Sequence, residues 1–169
     1  MMIRTILVDD EQLSLEAAAA ALGKHPQIEL VEKFTNSTKL FDFLLKESAD
    51  LIFLDIELEN ETGFQIAKKL KNDYPDILFV FLTGHSSYAI DGYDFQPLGF
   101  LTKPINPLKL KNLLEEAGRR LEKGVRYKKE AKIMLRMMSG HRIMEVGKIL
   151  YFARRNRKTL WGPKRVRSG

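Results

Sequence analysis

The stretch Leu51-Ile52-Phe53-Leu54-Asp55 consists of four apolar residues that run directly into a carboxylate. Acidic residues bound it on both sides, and an apolar run this short is typical of a strand buried on both faces of a sheet. Asp55 then lies at the carboxyl end of the strand. Because ligands of open α/β sheets bind at this edge, the stretch predicts a site around Asp55.

Four more apolar runs are candidates for strands of the same sheet: Ile3–Val8, Ile28–Phe34, Ile77–Leu82 and Gly99–Leu101. Segments with helical spacing of apolar residues lie between and after the strands: Leu13–Leu22, Asn36–Leu45, Phe64–Leu70, Tyr88–Tyr93 and Pro107–Lys123. The acidic residues of the second run indicate a position nearer an edge. The order βα, repeated five times, predicts an α/β fold, a (βα)₅ doubly wound parallel sheet with helices on both faces.

The composition is that of a globular protein, with 44% hydrophobic residues among 169. No run approaches the roughly 18 apolar residues that a membrane-spanning helix needs. The absence of cysteine excludes disulfides, thiolate chemistry and cysteine-bound zinc. No signal-peptide pattern opens the chain, so we expect a cytoplasmic protein without membrane contact.

Charge divides the chain into two parts. Residues 1–123 carry 14 Lys+Arg and 20 Asp+Glu, whereas residues 124–169 carry 14 and 2. The net charge of +6 therefore combines an acidic domain at residues 1–123 with a basic segment, which suggests a polyanionic partner for the second part. We expect residues 124–132 to form a charged linker and residues 133–169 to form a separate segment.

Three further polar signals stand at the ends of predicted strands. Asp9-Asp10 follow the first strand, Thr83 the fourth and Lys103-Pro104 the fifth. Taken singly, the aspartates and the threonine are as well explained as helix caps, and the lysine as a solvated charge before a turn. If they converge on Asp55, however, the three carboxylates repel one another unless a cation lies among them. A cluster with only oxygen ligands suits Mg²⁺.

The pattern resembles the receiver domain of two-component response regulators, and the resemblance covers residues 1–123. The matching residues are Asp9, Asp10, Asp55, Gly63, Thr83, Lys103 and Pro104, in register on the (βα)₅ order. The resemblance implies a flavodoxin-like fold and a Mg²⁺-dependent phosphoacceptor that a sensor histidine kinase phosphorylates. The protein would then be a signalling switch for transcription regulation rather than a turnover enzyme.

The resemblance also implies a role for each residue. Asp55 would accept the phosphoryl group, with help from Lys103 and Thr83. The Mg²⁺ ligands would be Asp9, Asp10, Asp55 and the backbone carbonyl of Glu57. Movement of Thr83 would turn Phe100 in the fifth strand from an exposed to a buried position, and the face after strands four and five would support a homodimer. The Lys103-Pro104 bond would be cis.

One position departs from the receiver pattern. Glu59 stands where these domains commonly have proline. We expect this change to loosen the loop after Asp55 without touching a metal ligand.

Two alternatives to a phosphorylated receiver remain open. Haloacid-dehalogenase-type phosphatases also form an aspartyl phosphate, but they carry an aspartate and a threonine where this chain has Glu57 and Glu59. A receiver-like scaffold that works without phosphorylation is the second alternative. The presence of Asp55, Thr83 and Lys103 together argues against it.

The segment at residues 133–169 contains further strand signals. Apolar runs on both sides of the turn Ser139–Arg142 predict a hairpin, and Gly147–Phe152 is a third strand candidate. Ile149-Leu150-Tyr151 resembles the opening of LytTR-type DNA-binding domains, so we interpret the segment as a partial output domain. We therefore expect a short basic segment that is β-rich or disordered. The basic runs at residues 154–158 and 164–167 have little apolar periodicity, which favours a disordered tail, and their charge would attract nucleic acid without sequence specificity.

Overall fold

The computed structural model describes residues 2–85, 93–130, 132–137, 140–145, 153–155 and 158–160. The strands are β1 (Ile3–Val8), β2 (Ile28–Phe34), β3 (Leu51–Asp55), β4 (Leu78–Thr83), β5 (Gly99–Thr102), β6 (Lys132–Met137), β7 (Gly140–Glu145), β8 (Ala153–Arg155) and β9 (Lys158–Leu160). The α-helices are α1 (Gln12–Leu22), α2 (Ser37–Leu44), α3 (Gly63–Asp73) and α4 (Pro107–Glu130), and a 3₁₀ helix spans Tyr93–Phe95. The chain divides into two units, Met1–Leu121 and Glu122–Gly169.

The first unit is built on a five-stranded parallel sheet in the order β2-β1-β3-β4-β5. The central strand β3 is buried along its whole length, as the apolar run before Asp55 predicts. The strand predicted to lie near an edge, β2, is at one edge of this sheet. The fold is the doubly wound arrangement predicted from the order of the elements, and its strand order is flavodoxin-like, as the resemblance implied.

Helices cover both faces of the sheet and hold its strands in place. The helix α2 and the helix α3 pack on one face through Leu40, Leu44, Ile66 and Leu70. The helix α1 and the helix α4 pack on the other through Leu15, Leu22, Leu110 and Leu114. Burying an aliphatic side chain of this size contributes roughly 1.5–3 kcal/mol relative to leaving it in water. The two layers therefore fix the sheet edge at which the polar strand ends meet.

Polar side chains cap two of the helices. Asn36, in the predicted cap, accepts a hydrogen bond from the Lys39 backbone N–H at 3.1 Å. A capping box begins α3: the Thr62 hydroxyl accepts from the Gln65 N–H at 3.3 Å, and the Gln65 side chain accepts from the Thr62 N–H at 2.9 Å. This box fixes the point at which the loop after Asp55 ends.

The helix α4 is longer than predicted. The sequence indicates a helix to about Lys123 and a linker at residues 124–132, whereas α4 continues to Glu130. The predicted end near Lys123 is therefore wrong, because the chain beyond it contains Arg126, Lys128, Lys129 and Glu130, which have high helix propensity. The role of residues 124–132 as a linker stays a prediction. The predicted helix at Tyr88–Tyr93 lies outside the described residues except for Tyr93.

The described parts of the second unit are two antiparallel hairpins. The strands β6 and β7 form the predicted hairpin, but Gly140, His141 and Arg142, which were predicted to lie in the turn, are paired residues of β7. The strands β8 and β9 pair Arg155 with Lys158, so of the two predicted forms of the segment, β-rich or disordered, these residues take the β form. Hairpin hydrogen bonds do not require apolar periodicity, whose absence suggested disorder. The strand candidate Gly147–Phe152 and the basic run at residues 164–167 lie outside the described residues.

Candidate functional site

Strand register brings the polar strand ends to one edge of the sheet. Val8 pairs with Leu54, so the next residues on these neighbouring strands are Asp9 and Asp55. On the other side, β4 and β5 end in register at Thr83 and Thr102. Lys103 follows directly on β5. Because the strands are parallel, all these carboxyl ends face the same edge.

Three carboxylates form the centre of the site. Oxygen atoms of Asp9, Asp10 and Asp55 all lie within 4.8 Å of one another. Asp9 and Asp55 are buried, with 1% and 5% of their surface exposed, whereas Asp10 is exposed. Two buried carboxylates this close need positive charge nearby, because neither solvent nor apolar packing can neutralise them.

Lys103 supplies part of that charge. Its Nζ donates to Asp9 Oδ2 at 2.6 Å and to Asp55 Oδ2 at 2.8 Å. The strands β5 and β3 are two strand spacings apart, roughly 10 Å, so a long side chain is needed to make this contact. Burial by itself lowers the pKa of Lys103, but the hydrogen bonds to the two carboxylates raise that pKa above its ordinary value. The Lys103-Pro104 peptide bond is cis, as the resemblance implied.

Asp55 is held on both sides of its carboxylate. Burial raises the pKa of Asp55 above its ordinary value, and the hydrogen bond from Lys103 offsets this only in part. The Glu57 backbone N–H donates to Asp55 Oδ1 at 3.2 Å, and Lys103 binds the other oxygen. The backbone of Glu57 thus touches the site through its N–H. A ligand role for its carbonyl stays a prediction.

Asp9 has a partner that sequence reasoning missed. Its Oδ2 accepts a short hydrogen bond from the Ser14 hydroxyl in α1, in addition to the bond from Lys103. Its Oδ1 accepts from the Glu11 backbone N–H at 3.0 Å. Three donors therefore fix the orientation of the Asp9 carboxylate. The only sequence signal for Ser14 is a hydroxyl within an alanine-rich helix, close after the paired aspartates.

Asp10 is bound to the loop that follows β3. The Glu59 backbone N–H donates to Asp10 Oδ2 at 2.6 Å. The expectation that Glu59 touches no metal ligand is therefore wrong. The contact uses the backbone N–H of residue 59, which a proline at this position would lack.

The Thr83 hydroxyl is turned toward its own loop. It donates to the His85 carbonyl at 3.0 Å and accepts from the His85 N–H at 2.9 Å. Thr83 is 99% buried, and its carbonyl accepts from the Lys103 N–H at 2.8 Å, so its strand end lies beside the site. A hydrogen bond to a phosphoryl group would require the hydroxyl to leave His85.

Phe100 lies on β5 and is half-buried. Its ring stacks on Phe81 of β4, with centroids 5.3 Å apart. Phe81 also meets Phe64 of α3 edge-to-face, at 5.1 Å. These contacts link Phe100 through the aromatic cluster to the beginning of α3. The exposed-to-buried movement expected of Phe100 remains a prediction.

The donor set fits a magnesium ion. Asp9, Asp10 and Asp55 offer only oxygen atoms, within a distance that a single ion can bridge, and one of the three carboxylates is open to solvent. Hard oxygen ligands and retained waters are what Mg²⁺ prefers.

Among the residues that the structure describes, no helix is both long enough and apolar enough to cross a bilayer.

Comparison with known proteins gives a consistent result. Residues 5–115 match the response regulator receiver domain. The sensory transduction protein LytT of Bacillus subtilis is 32% identical over 115 residues, which are 68% of this chain and 48% of that protein. LytT of Oceanobacillus iheyensis is 26% identical over 160 residues, 93% of this chain and 65% of its own length.

The solved structures agree on the fold. The crystal structure of the response regulatory domain of protein mrkE from Klebsiella pneumoniae has a TM-score of 0.65 at 24% identity, and the match covers 72% of this chain and 99% of that one. At this identity the likeness concerns the fold alone. The chain spans about half the length of the first curated relatives it matches.

Proposed function

Because the chain belongs to the response regulator receiver domain family, we propose that it is a two-component phosphoacceptor whose phosphorylated residue is Asp55. Response regulators are phosphorylated by sensor histidine kinases, and such a kinase is the donor we propose here. The observation that carries the proposal is the joint contact of the Lys103 amine with Asp9 and Asp55, at 2.6 and 2.8 Å.

The chemistry proposed for Asp55 is nucleophilic. A carboxylate oxygen attacks the phosphorus of the donor, a new oxygen–phosphorus bond forms, and the bond to the leaving group breaks with its electron pair. Lys103, already protonated between the two carboxylates, is placed to pair with an oxygen of the incoming phosphoryl group. Asp9 keeps the amine near Asp55 before the phosphoryl group arrives.

Magnesium fits this scheme as a resident ion. Asp9, Asp10 and Asp55 would hold it, together with the Glu57 carbonyl. When bound, it supplies positive charge that offsets the negative charge of the transferring group. We propose that the chain catalyses only its own phosphorylation and dephosphorylation and is not a turnover enzyme.

Thr83 and Phe100 are the proposed switch. The Thr83 hydroxyl would exchange its bonds to His85 for one to the phosphoryl group. That exchange would move the end of β4, against which β5 and Phe100 pack. Phe100 has no hydroxyl to satisfy on burial, which favours the inward position. We propose that the face around β5 then forms a homodimer.

The output proposed for the whole protein is transcription regulation from the cytoplasm. The relatives named LytT are described as sensory transduction proteins, and the likeness to one of them extends over 160 residues, past the receiver domain. Together with the Ile149-Leu150-Tyr151 phrase, this supports a LytTR-type output segment at residues 133–169. Its basic residues would bind nucleic acid without sequence specificity.

Intact-mass measurement after incubation with acetyl phosphate and Mg²⁺ tests the proposed function. We expect one phosphoryl adduct that is absent in Asp55→Asn, absent when Mg²⁺ is chelated, and present in the control Asp42→Asn, which changes an exposed aspartate of α2. Light scattering on the same samples reports the dimer as a doubled mass in the phosphorylated fraction.

Two outcomes would overturn the proposal. Turnover of phosphate esters without a persistent adduct would favour the phosphatase class, for which the comparisons give no support. Absence of both an adduct and turnover, in a folded protein with Mg²⁺ bound, would favour a scaffold that works without phosphorylation.

A further inference from the structure

Asp10 differs from the other two carboxylates of the site. Asp9 and Asp55 are buried and each receives bonds from Lys103 and from a backbone N–H. Asp10 is exposed, and the hydrogen bond described for its carboxylate comes from the Glu59 N–H, 49 residues away in sequence, at 2.6 Å. An exposed carboxylate samples several rotamers, so a single short bond has a large influence on where it points.

The donor of that bond sits on a closed loop. The Gly63 N–H donates to the Ile56 carbonyl at 2.9 Å, and Glu57 and Thr62 pair as an isolated antiparallel β-bridge. The capping box at the start of α3 anchors the far end of the loop. Glu59 lies inside this closed segment, so its N–H has a defined position relative to β3 and to Asp55.

We propose that the Glu59 backbone N–H is a positioning group for the metal site, and that it holds Asp10 in the orientation in which its second oxygen can bind Mg²⁺. This inference rests on the proposed function, because it assumes that the site takes Mg²⁺. Partners that orient a metal ligand raise the affinity of the site, since the ligand does not have to be ordered when the ion binds.

The proposal separates two effects of residue 59. Its carboxylate is exposed and adds negative charge at the mouth of the site. Its N–H orients Asp10. Glu59→Ala removes the charge and keeps the N–H, whereas Glu59→Pro removes both. Because receiver domains commonly have proline at this position, the loop accommodates it. The comparison of proline with alanine therefore isolates the hydrogen bond.

Calorimetric titration with Mg²⁺ alone, without a phosphodonor, measures the effect. We expect Glu59→Pro to bind Mg²⁺ about tenfold to a hundredfold more weakly than Glu59→Ala, the range for loss of a partner that orients a metal ligand. In phosphorylation assays the Mg²⁺ concentration for half-maximal rate should rise by the same factor, with the rate at saturating Mg²⁺ unchanged. A general disturbance of the site would instead lower the saturated rate.

Amide hydrogen exchange tests the hydrogen bond from Glu59 to Asp10 without the proline variant, in case Glu59→Pro does not fold. In the metal-free wild-type chain the Glu59 amide should exchange slowly, and in Asp10→Ala at least about tenfold faster, since the acceptor is gone. Equal exchange in the two chains would overturn the inference.

The results also distinguish the inference from the proposed function. If the wild-type chain does not bind Mg²⁺, the proposed function loses its metal site and the inference falls with it. If the wild-type chain binds Mg²⁺ and the proline and alanine variants bind it equally well, only the inference is contradicted.

Discussion

The negative charge on Asp55 lowers the stability of the folded protein when no metal is bound. Its pKa is raised above the ordinary value of 3.8, chiefly by burial. A carboxyl group whose pKa is raised by folding contributes stability below its unfolded pKa, and that contribution is lost as pH rises through the folded pKa. At neutral pH the ionised Asp55 is therefore less favourable in the folded state than in the unfolded state.

This sign predicts that Asp55→Asn stabilises the metal-free protein. In urea unfolding with chelator at pH 7, the variant should have a higher midpoint than the wild type. The difference should shrink as pH falls through the folded pKa of Asp55 and below 3.8, where Asp55 is protonated in both states. Asp42→Asn, on the surface of α2, is the control and should leave the midpoint nearly unchanged. A lower midpoint for Asp55→Asn at pH 7 would contradict the raised pKa.

At the scale of residues, the sequence predicted the charged side chains of the site but not all of the hydrogen-bond donors that orient them. Asp9, Asp10, Asp55 and Lys103 were predictable because each follows an apolar run, and parallel strands end at one edge. The contact of Ser14 depends on the direction in which α1 leaves the sheet. The contact of Glu59 uses a backbone donor, which every residue except proline possesses, so no residue type signals it.

At the scale of elements, the position of α3 depends on Gly63. A Cβ built on this residue would lie 2.2 Å from the Asp55 carbonyl oxygen and 2.9 Å from the Ile56 Cα. Both are backbone atoms of the strand end that carries the phosphoacceptor, so they cannot turn away as a side chain would. The family's glycine is explained here by close approach of the helix to the strand rather than by an unusual dihedral angle.

Gly63→Ala should therefore destabilise the fold by about 3 kcal/mol, the upper end for overpacking a well-packed site. Urea unfolding measures the loss, and Gly84→Ala is the matched control, because a Cβ at this second loop glycine of the same edge meets no atom within 4 Å. The displaced Asp55 backbone should also slow phosphorylation by acetyl phosphate. Equal stability of the two alanine variants would show that α3 can shift away from β3 at little cost.

The elements whose ends the sequence predicted best are the strands formed by continuous apolar runs. The predicted ends of β1, β3 and β4 lie within one residue of the observed ends. A short apolar run between polar residues is typical of a buried strand of a parallel sheet, so the polar residues mark its ends. The extent of α4 was not predictable in the same way. Charged residues with high helix propensity, such as those of residues 126–130, suit both a linker and an exposed helix, so their composition alone does not fix where α4 ends.

At the scale of the whole molecule, charge separates the chain into an acidic and a basic part. Residues 1–123 carry 14 Lys+Arg against 20 Asp+Glu, and residues 131–169 carry 11 against the single acidic residue Glu145. A segment with this excess of basic residues attracts a polyanion, because contacts to phosphate groups require only positive charge.

Nonspecific nucleic-acid binding should therefore depend on residues 131–169. With a labelled random-sequence duplex in a fluorescence anisotropy titration, the full chain should bind and lose about 10³-fold in affinity between 50 and 200 mM salt if it neutralises about six phosphates. Chains that end at Glu130 and at Lys123 should both fail to bind, because each retains more acidic than basic residues. The pair also tests whether the end of α4 contributes. Binding by the chain that ends at Glu130 with the affinity of the full chain would show that residues 131–169 are not needed. An affinity of the full chain that does not fall with salt would exclude an electrostatic role for them.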